Sequence, residues 1–163
     1  MSDDPTESFA TPRVAAGALF SDDQGCVLLV HPTYKDTCVV PGGYVEYSES
    51  PAADCRRELA EELGLDRKPL RLLSVDWAPS EKEGDKLLFL FDCGQLGDDE
   101  ARRRLDGREL DRWGWVSIDR LDEYVVERIA TRVRSTIATG DSYVEYGIDP
   151  SQTRPAIDVA ERD

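Results

Sequence analysis

Residues 43–65 read GYVEYSESPAADCRRELAEELGL, and no other stretch constrains the fold as strongly. Ser50 is a candidate N-cap, and Pro51 stands at the first helical position, where its missing N–H costs nothing. Good helix formers then run to Gly64, a natural C-terminal stop. The spacing predicts a helix over 51–63. Ala52, Cys55, Leu59 and Leu63 recur every three or four residues and can form a buried apolar stripe. Glu58, Glu61 and Glu62 are related by i, i+3 and i+4, so they project from one side of that helix within about one turn.

Three carboxylates so close repel one another, raise one another's pKa and oppose the helix. A divalent cation relieves that repulsion. Oxygen donors with spare positions for water suit Mg²⁺ or Mn²⁺, not Zn²⁺. Such ions also bind phosphates, which ties the cluster to phosphate chemistry. An acidic helix face taken alone is usually only a solvated surface. Here Pro41-Gly42-Gly43 precede it, and Glu49 and Arg57 fall at fixed offsets. Gly42 and Gly43 allow positive φ and the close approach of a ligand.

From Gly43 to Leu65 the spacing is G-x5-E-x7-R-E-U-x-E-E-x-G-U, with U a bulky aliphatic residue. It resembles the Nudix box at every defining position. The resemblance extends over roughly residues 13–137, although only the box is diagnostic. It implies an α/β fold, the Nudix α/β/α sandwich with a mixed sheet between helices. It also implies a pyrophosphohydrolase that uses Mg²⁺, with Mn²⁺ as a substitute. The substrate would be a nucleoside diphosphate linked to another moiety X: a nucleoside triphosphate, ADP-ribose or a nucleotide sugar. By the same resemblance the Gly42 carbonyl, Glu58, Glu61 and Glu62 are metal ligands. Arg57 would orient a catalytic glutamate and Glu49 would pair with Arg57. The general base is either a box glutamate, with Glu58 the first candidate, or a later acid. Glu109 precedes Trp115 with five residues between, and Asp98, Asp99 and Glu100 are alternatives. Tyr44, Tyr47 and Trp77 are the aromatics nearest the motif that can stack on a base. Pro79 lies fifteen residues after Gly64, near a proline of ADP-ribose-cleaving relatives. Cys38 stands where many relatives carry tryptophan. Two other classes stay open, a catalytically silent nucleotide-binding module and an isoprenoid-diphosphate enzyme. Retention of all the box glutamates argues against the first. The second would need a catalytic cysteine, and no cysteine clearly matches one.

The rest of the chain agrees with a small enzyme. Its 163 residues suit one domain, and 40% are hydrophobic. A net charge of −14 disfavours long nucleic acid strands but not a small nucleotide bound through metal. No apolar run approaches the roughly 18 residues that cross a membrane, and the start, MSDDPTESFA, is unlike a signal peptide. The expected compartment is the cytoplasm, with no membrane partner. Cys26, Cys38, Cys55 and Cys93 show no metal-type spacing and read as reduced thiols. His31 is the only histidine, so a His-based triad or zinc site is excluded. Residues 1–11 are expected to form a loose arm and 12–138 the catalytic domain. Residues 139–163 form a second arm, flexible or docked through Tyr143, Tyr146 and Ile148 on the body or on a second subunit of a homodimer. Strands are expected over 13–20, 26–31, 70–77, 86–93 and 113–116, a charged loop over 95–108, and a second helix over 118–137.

Overall fold

Apolar residues alternate along two central strands and so divide the core into two layers. In a strand, successive side chains point to opposite faces. On β1 (Arg13–Ser21), Ala16, Ala18 and Phe20 enter one buried cluster and Leu19 enters the other. On β2 (Val27–Pro32), Leu28 and Val30 join the first, and Val27 and Leu29 the second. A sheet apolar on both faces must be covered on both. Cys55, Leu59 and Leu63 of α1 (Pro51–Leu63) cover the first face. Leu121, Ala130 and Val133, from a 3-10 turn (Ile118–Glu123) and α3 (Glu127–Thr139), cover the second.

The structure, a computed structural model, describes residues 5–105, 110–140 and 142–146. The remaining strands are β3 (Gly42–Tyr44), β4 (Arg71–Trp77), β5 (Lys86–Gln95), β6 (Leu110–Val116) and β7 (Tyr143–Glu145). They complete a seven-stranded sheet in the order β6-β2-β1-β5-β4-β7, with β3 pairing to β1 off this path. The β1–β5 and β4–β7 pairs are parallel and the others antiparallel, so the sheet is mixed, as expected. Among the described residues no helix is long and apolar enough to cross a membrane.

Two expectations need correction. The stretch 95–108 is not a loop throughout, because α2 (Asp98–Leu105) forms within it. Asp98, Asp99 and Glu100 occupy its first turn, where negative charge suits the helix N-terminus. Ala101 anchors the helix, fully buried in the α1-side core. The helix expected over 118–137 is broken. The Tyr124 carbonyl accepts the Cys38 N–H at 2.9 Å, and Val126 is extended, so α3 starts only at Glu127. Residues 5–8 form an exposed 3-10 turn, and β7 adds the start of the C-terminal segment to the sheet edge beside β4.

Candidate active site

The glycines before α1 are demanded by contact. Gly42 sits at φ 151°, and a Cβ there would lie 2.1 Å from the Ala16 carbonyl oxygen on β1. A Cβ on Gly43 would lie 2.2 Å from Glu58 Oε1. No side chain fits at Gly42, where the clash is with backbone, and one at Gly43 would push the Glu58 carboxylate away from the loop. The absence of two side chains lets the Glu58 carboxylate press against the loop. The Gly42 N–H also donates to Glu62 Oε2 at 3.4 Å, so Glu58 and Glu62 both meet this turn.

Helix α1 holds these acids in a set orientation. The Ser50 hydroxyl accepts the Ala53 N–H at 3.2 Å, and Gly64 closes the helix in the left-handed region at φ 65°. One turn in, Arg57 gathers the acids around it. Its Nε and NH2 donate to the two oxygens of Glu49 at 2.9 and 3.1 Å. NH1 donates to Glu58 at 3.0 Å and to Glu61 at 3.1 Å. NH2 also reaches Asp54 at 2.5 Å and the Tyr44 carbonyl at 3.2 Å. These are six acceptors for the five N–H donors of a guanidinium, so the three at NH2 share two hydrogens, and a lysine with three donors would hold fewer still.

The charges are unevenly satisfied. The Arg57 hydrogen bond holds the Glu49 carboxyl below its usual range. Asp54 is fully buried, and that burial pushes it up to about 7; Arg57 opposes the shift, while Glu58 and Glu49 reinforce it. Burial, then the neighbouring Glu58, pushes Glu62 up to about 7 as well. One arginine thus faces more carboxylates than it can neutralise.

The sequence candidates separate in space. Glu58, Glu62 and Gly42 come together, whereas Glu61 is 62% exposed and turned to Arg57. Among the described residues no three acidic, histidine or cysteine side chains converge on one point. The donor chemistry still fits a hard divalent cation. Glu58 and Glu62 are oxygen donors crowded at a half-buried turn, and Glu62 bears the strain of a negative charge with too little compensation. Tyr44 lines a cleft that opens at Gly42 and Gly43. Tyr47 is fully exposed on an adjoining groove that Tyr44 and Arg13 also line, and Trp77 lies on β4 between Leu87 and Glu145 of the neighbouring strands. Glu109 lies outside the described residues. Trp115 Nε1 donates to Asp98 at 2.6 Å, and Glu100 pairs with Arg67 at 3.0 Å. Sequence reasoning missed Asp54. Its position three residues before Arg57 and next to Cys55 on the apolar stripe was the available signal. It also missed the lysines and arginines of the cleft.

The family model described as NUDIX domain matches residues 11–138. A Bacillus subtilis (strain 168) protein with the provisional name ADP-ribose pyrophosphatase YjhB is 37% identical over 70 residues. The match covers 42% of this chain and about a third of that relative's length. A NUDIX hydrolase structure from Nitrosomonas europaea has a TM-score of 0.62 at 24% identity, covering 82% of this chain and 93% of that one. An ADP-ribose pyrophosphatase structure from Streptococcus suis 89-1591 has a TM-score of 0.57 at 20% identity, covering 83% and 99%. At these identities the structures establish the shared fold.

Proposed function

The chain belongs to the NUDIX family, and on that footing we propose that it hydrolyses the diphosphate bond of a small nucleoside diphosphate derivative. The observation that carries this reading is the meeting of Glu58 and Glu62 at the Gly42–Gly43 turn, with Arg57 gripping Glu58 from behind. Glu58, Glu62, the Gly42 carbonyl and, after release from Arg57, Glu61 are the residues that would hold Mg²⁺ or Mn²⁺. When bound, such an ion offsets the charge on the phosphate oxygens.

The protein's own groups supply the rest. A water oxygen attacks one phosphorus, the P–O bond to the bridging oxygen breaks, and the water's proton passes to a carboxylate. Glu58 is the first candidate for that base and Glu109 the second. Arg57 fixes the Glu58 rotamer, and a base must be held within hydrogen-bond reach of the water. Glu49 and Asp54 fix Arg57 in turn. The products are a nucleoside monophosphate and phosphorylated X, or pyrophosphate from a triphosphate. The name of the Bacillus subtilis relative favours a substrate of the ADP-ribose kind.

The test is a turnover screen over ADP-ribose, nucleotide sugars, dinucleotides and nucleoside triphosphates, with Mg²⁺ or Mn²⁺. Release of a nucleoside monophosphate that EDTA abolishes is the expected result. Binding of these compounds with no bond cleavage would overturn the reading and leave a silent binding module.

A further inference from the structure

The cleft that opens at Gly42 and Gly43 differs from the rest of the molecule in its charge. The chain carries 34 acidic and 20 basic side chains. Yet the cleft walls hold Lys35, Lys86, Arg128 and Arg132 and, among the described residues, no carboxylate. Two of these cations are spoken for. Lys86 is buried and paired with Glu83 at 2.5 Å, and Arg132 is buried against Asp76. Arg128 and Lys35 are exposed, and neither has a carboxylate partner among the described residues. Arg128 stands in the first turn of α3 next to Glu127, and the N-cap residue, Val126, offers no side-chain cap.

The cleft also has an apolar side and a direction. Phe89 and Tyr44 line it, and the Tyr44 hydroxyl is tied to Glu83. Burial and Glu83 raise the Tyr44 hydroxyl, and the charges of Arg13 and Arg128 oppose them, so the Arg128 head lies within electrostatic reach of that ring. Lys35 acts on Glu62 in the same way, which joins the cleft to the acidic turn. Its volume is about 200 Å³. Sites that enclose a whole drug-sized ligand run to about 300–1,000 Å³, so this cleft takes one moiety and not a complete substrate.

We infer that the cleft between the glycine turn and α3 is an anion-reading subsite. Arg128, assisted by Lys35, selects substrates whose X moiety bears a further phosphate ester or carboxylate beyond the scissile diphosphate. The inference rests on the hydrolase reading above. With the diphosphate at Glu58 and Glu62, X passes the side-chain-free Gly42–Gly43 turn and enters the cleft. Its ring lies along Phe89 and Tyr44, and its anionic group meets Arg128, which can engage either anion through two parallel N–H donors.

The test uses two matched substrate pairs with Mg²⁺. ADP-ribose and ADP-ribose 1''-phosphate differ by one phosphate ester on X, and UDP-glucose and UDP-glucuronate differ by one carboxylate on X. The wild type should show a kcat/KM at least about tenfold higher for the anion-bearing member of one pair, the size of one charge-assisted contact. Which pair shows it separates phosphate from carboxylate. The R128A variant should bring that ratio close to one through KM, and R128K should restore part of it. Equal turnover within both pairs, or a preference that survives R128A, would overturn the inference while leaving the hydrolase reading intact. If none of the four is cleaved, binding decides. Inorganic tripolyphosphate is titrated calorimetrically in EDTA. A several-fold weaker Kd for R128A supports the subsite even as the hydrolase reading fails, and an unchanged Kd refutes the subsite.

Discussion

Helices α1 and α3 are both thirteen residues long, both end on a left-handed glycine, and lie on opposite faces of one sheet. They handle buried charge in opposite ways. On α3, Arg132 meets Asp76 of β4, and Thr136 shares a 2.9 Å hydrogen bond with Ser74. Each buried polar group named there has a matching partner. On α1, Arg57 is shared among Glu49, Asp54, Glu58 and Glu61, and Glu62 receives only a long bond from Gly42. The matched set ties a helix to a sheet. The unmatched set keeps negative charge at a turn where only a cation or a proton relieves it. Such local conflict is what a functional site asks for and what a structural contact avoids.

The largest effect tests the matched side. Asp76→Asn should destabilise the fold by about 3–5 kcal/mol, because it leaves Arg132 buried without its anion. Urea unfolding would read this as a lower midpoint at an unchanged m-value. A loss under about 1 kcal/mol would mean that α3 is no better matched than α1.

Glu62→Gln should do the reverse. It is expected to lower kcat by about a hundredfold or more. Metal-free stability should hold or rise, since a half-buried carboxylate pushed up to about 7 has been removed. A variant that unfolds easily yet turns over normally would invert the comparison. Arg57→Ala should cut kcat by about ten- to a hundredfold with KM little changed, because the Arg57 donors are taken by carboxylates and the Tyr44 carbonyl. A rise in KM at constant kcat would put Arg57 on the substrate.

The smallest effect is on pH dependence. Asp54 sits near 7 in the fold and near its usual value of about 4 when unfolded. Between those values the folded chain holds a proton that the unfolded chain has released. Asp54 therefore lowers stability as pH rises from about 4 to about 7. Asp54→Asn should remove its share of that decline in metal-free protein, read as Tm against pH, and leave the share of Glu62, which is also pushed up to about 7. A wild-type slope in the variant would show that burial does not burden Asp54.

The chemistry of α1 was legible because it is local. Ser50, Pro51 and Gly64 set the ends of the helix, and i, i+3 and i+4 spacing places Glu58, Glu61 and Glu62 without tertiary information. Five of the seven strands were legible, within three residues at their ends, whereas the three-residue β3 and β7 were not. The miss at α2 has a physical cause. A run dense in acids and arginines resembles solvated loop, and only the burial of Ala101 reveals the docked helix. The break after Tyr124 was equally hidden, since it depends on a hydrogen bond to Cys38 from the far side of the chain.

The amino-acid order thus determined the helix, its acidic face, the glycine turn and the family, all through contacts spanning a turn or two of helix. Tertiary structure alone decided which acids are buried, which one Arg57 draws away, and where Lys35, Lys86, Arg128 and Arg132 meet. Burial and cross-strand register come from segments far apart in the chain. A carboxylate's charge state depends on that packing, so spacing along one helix does not contain it.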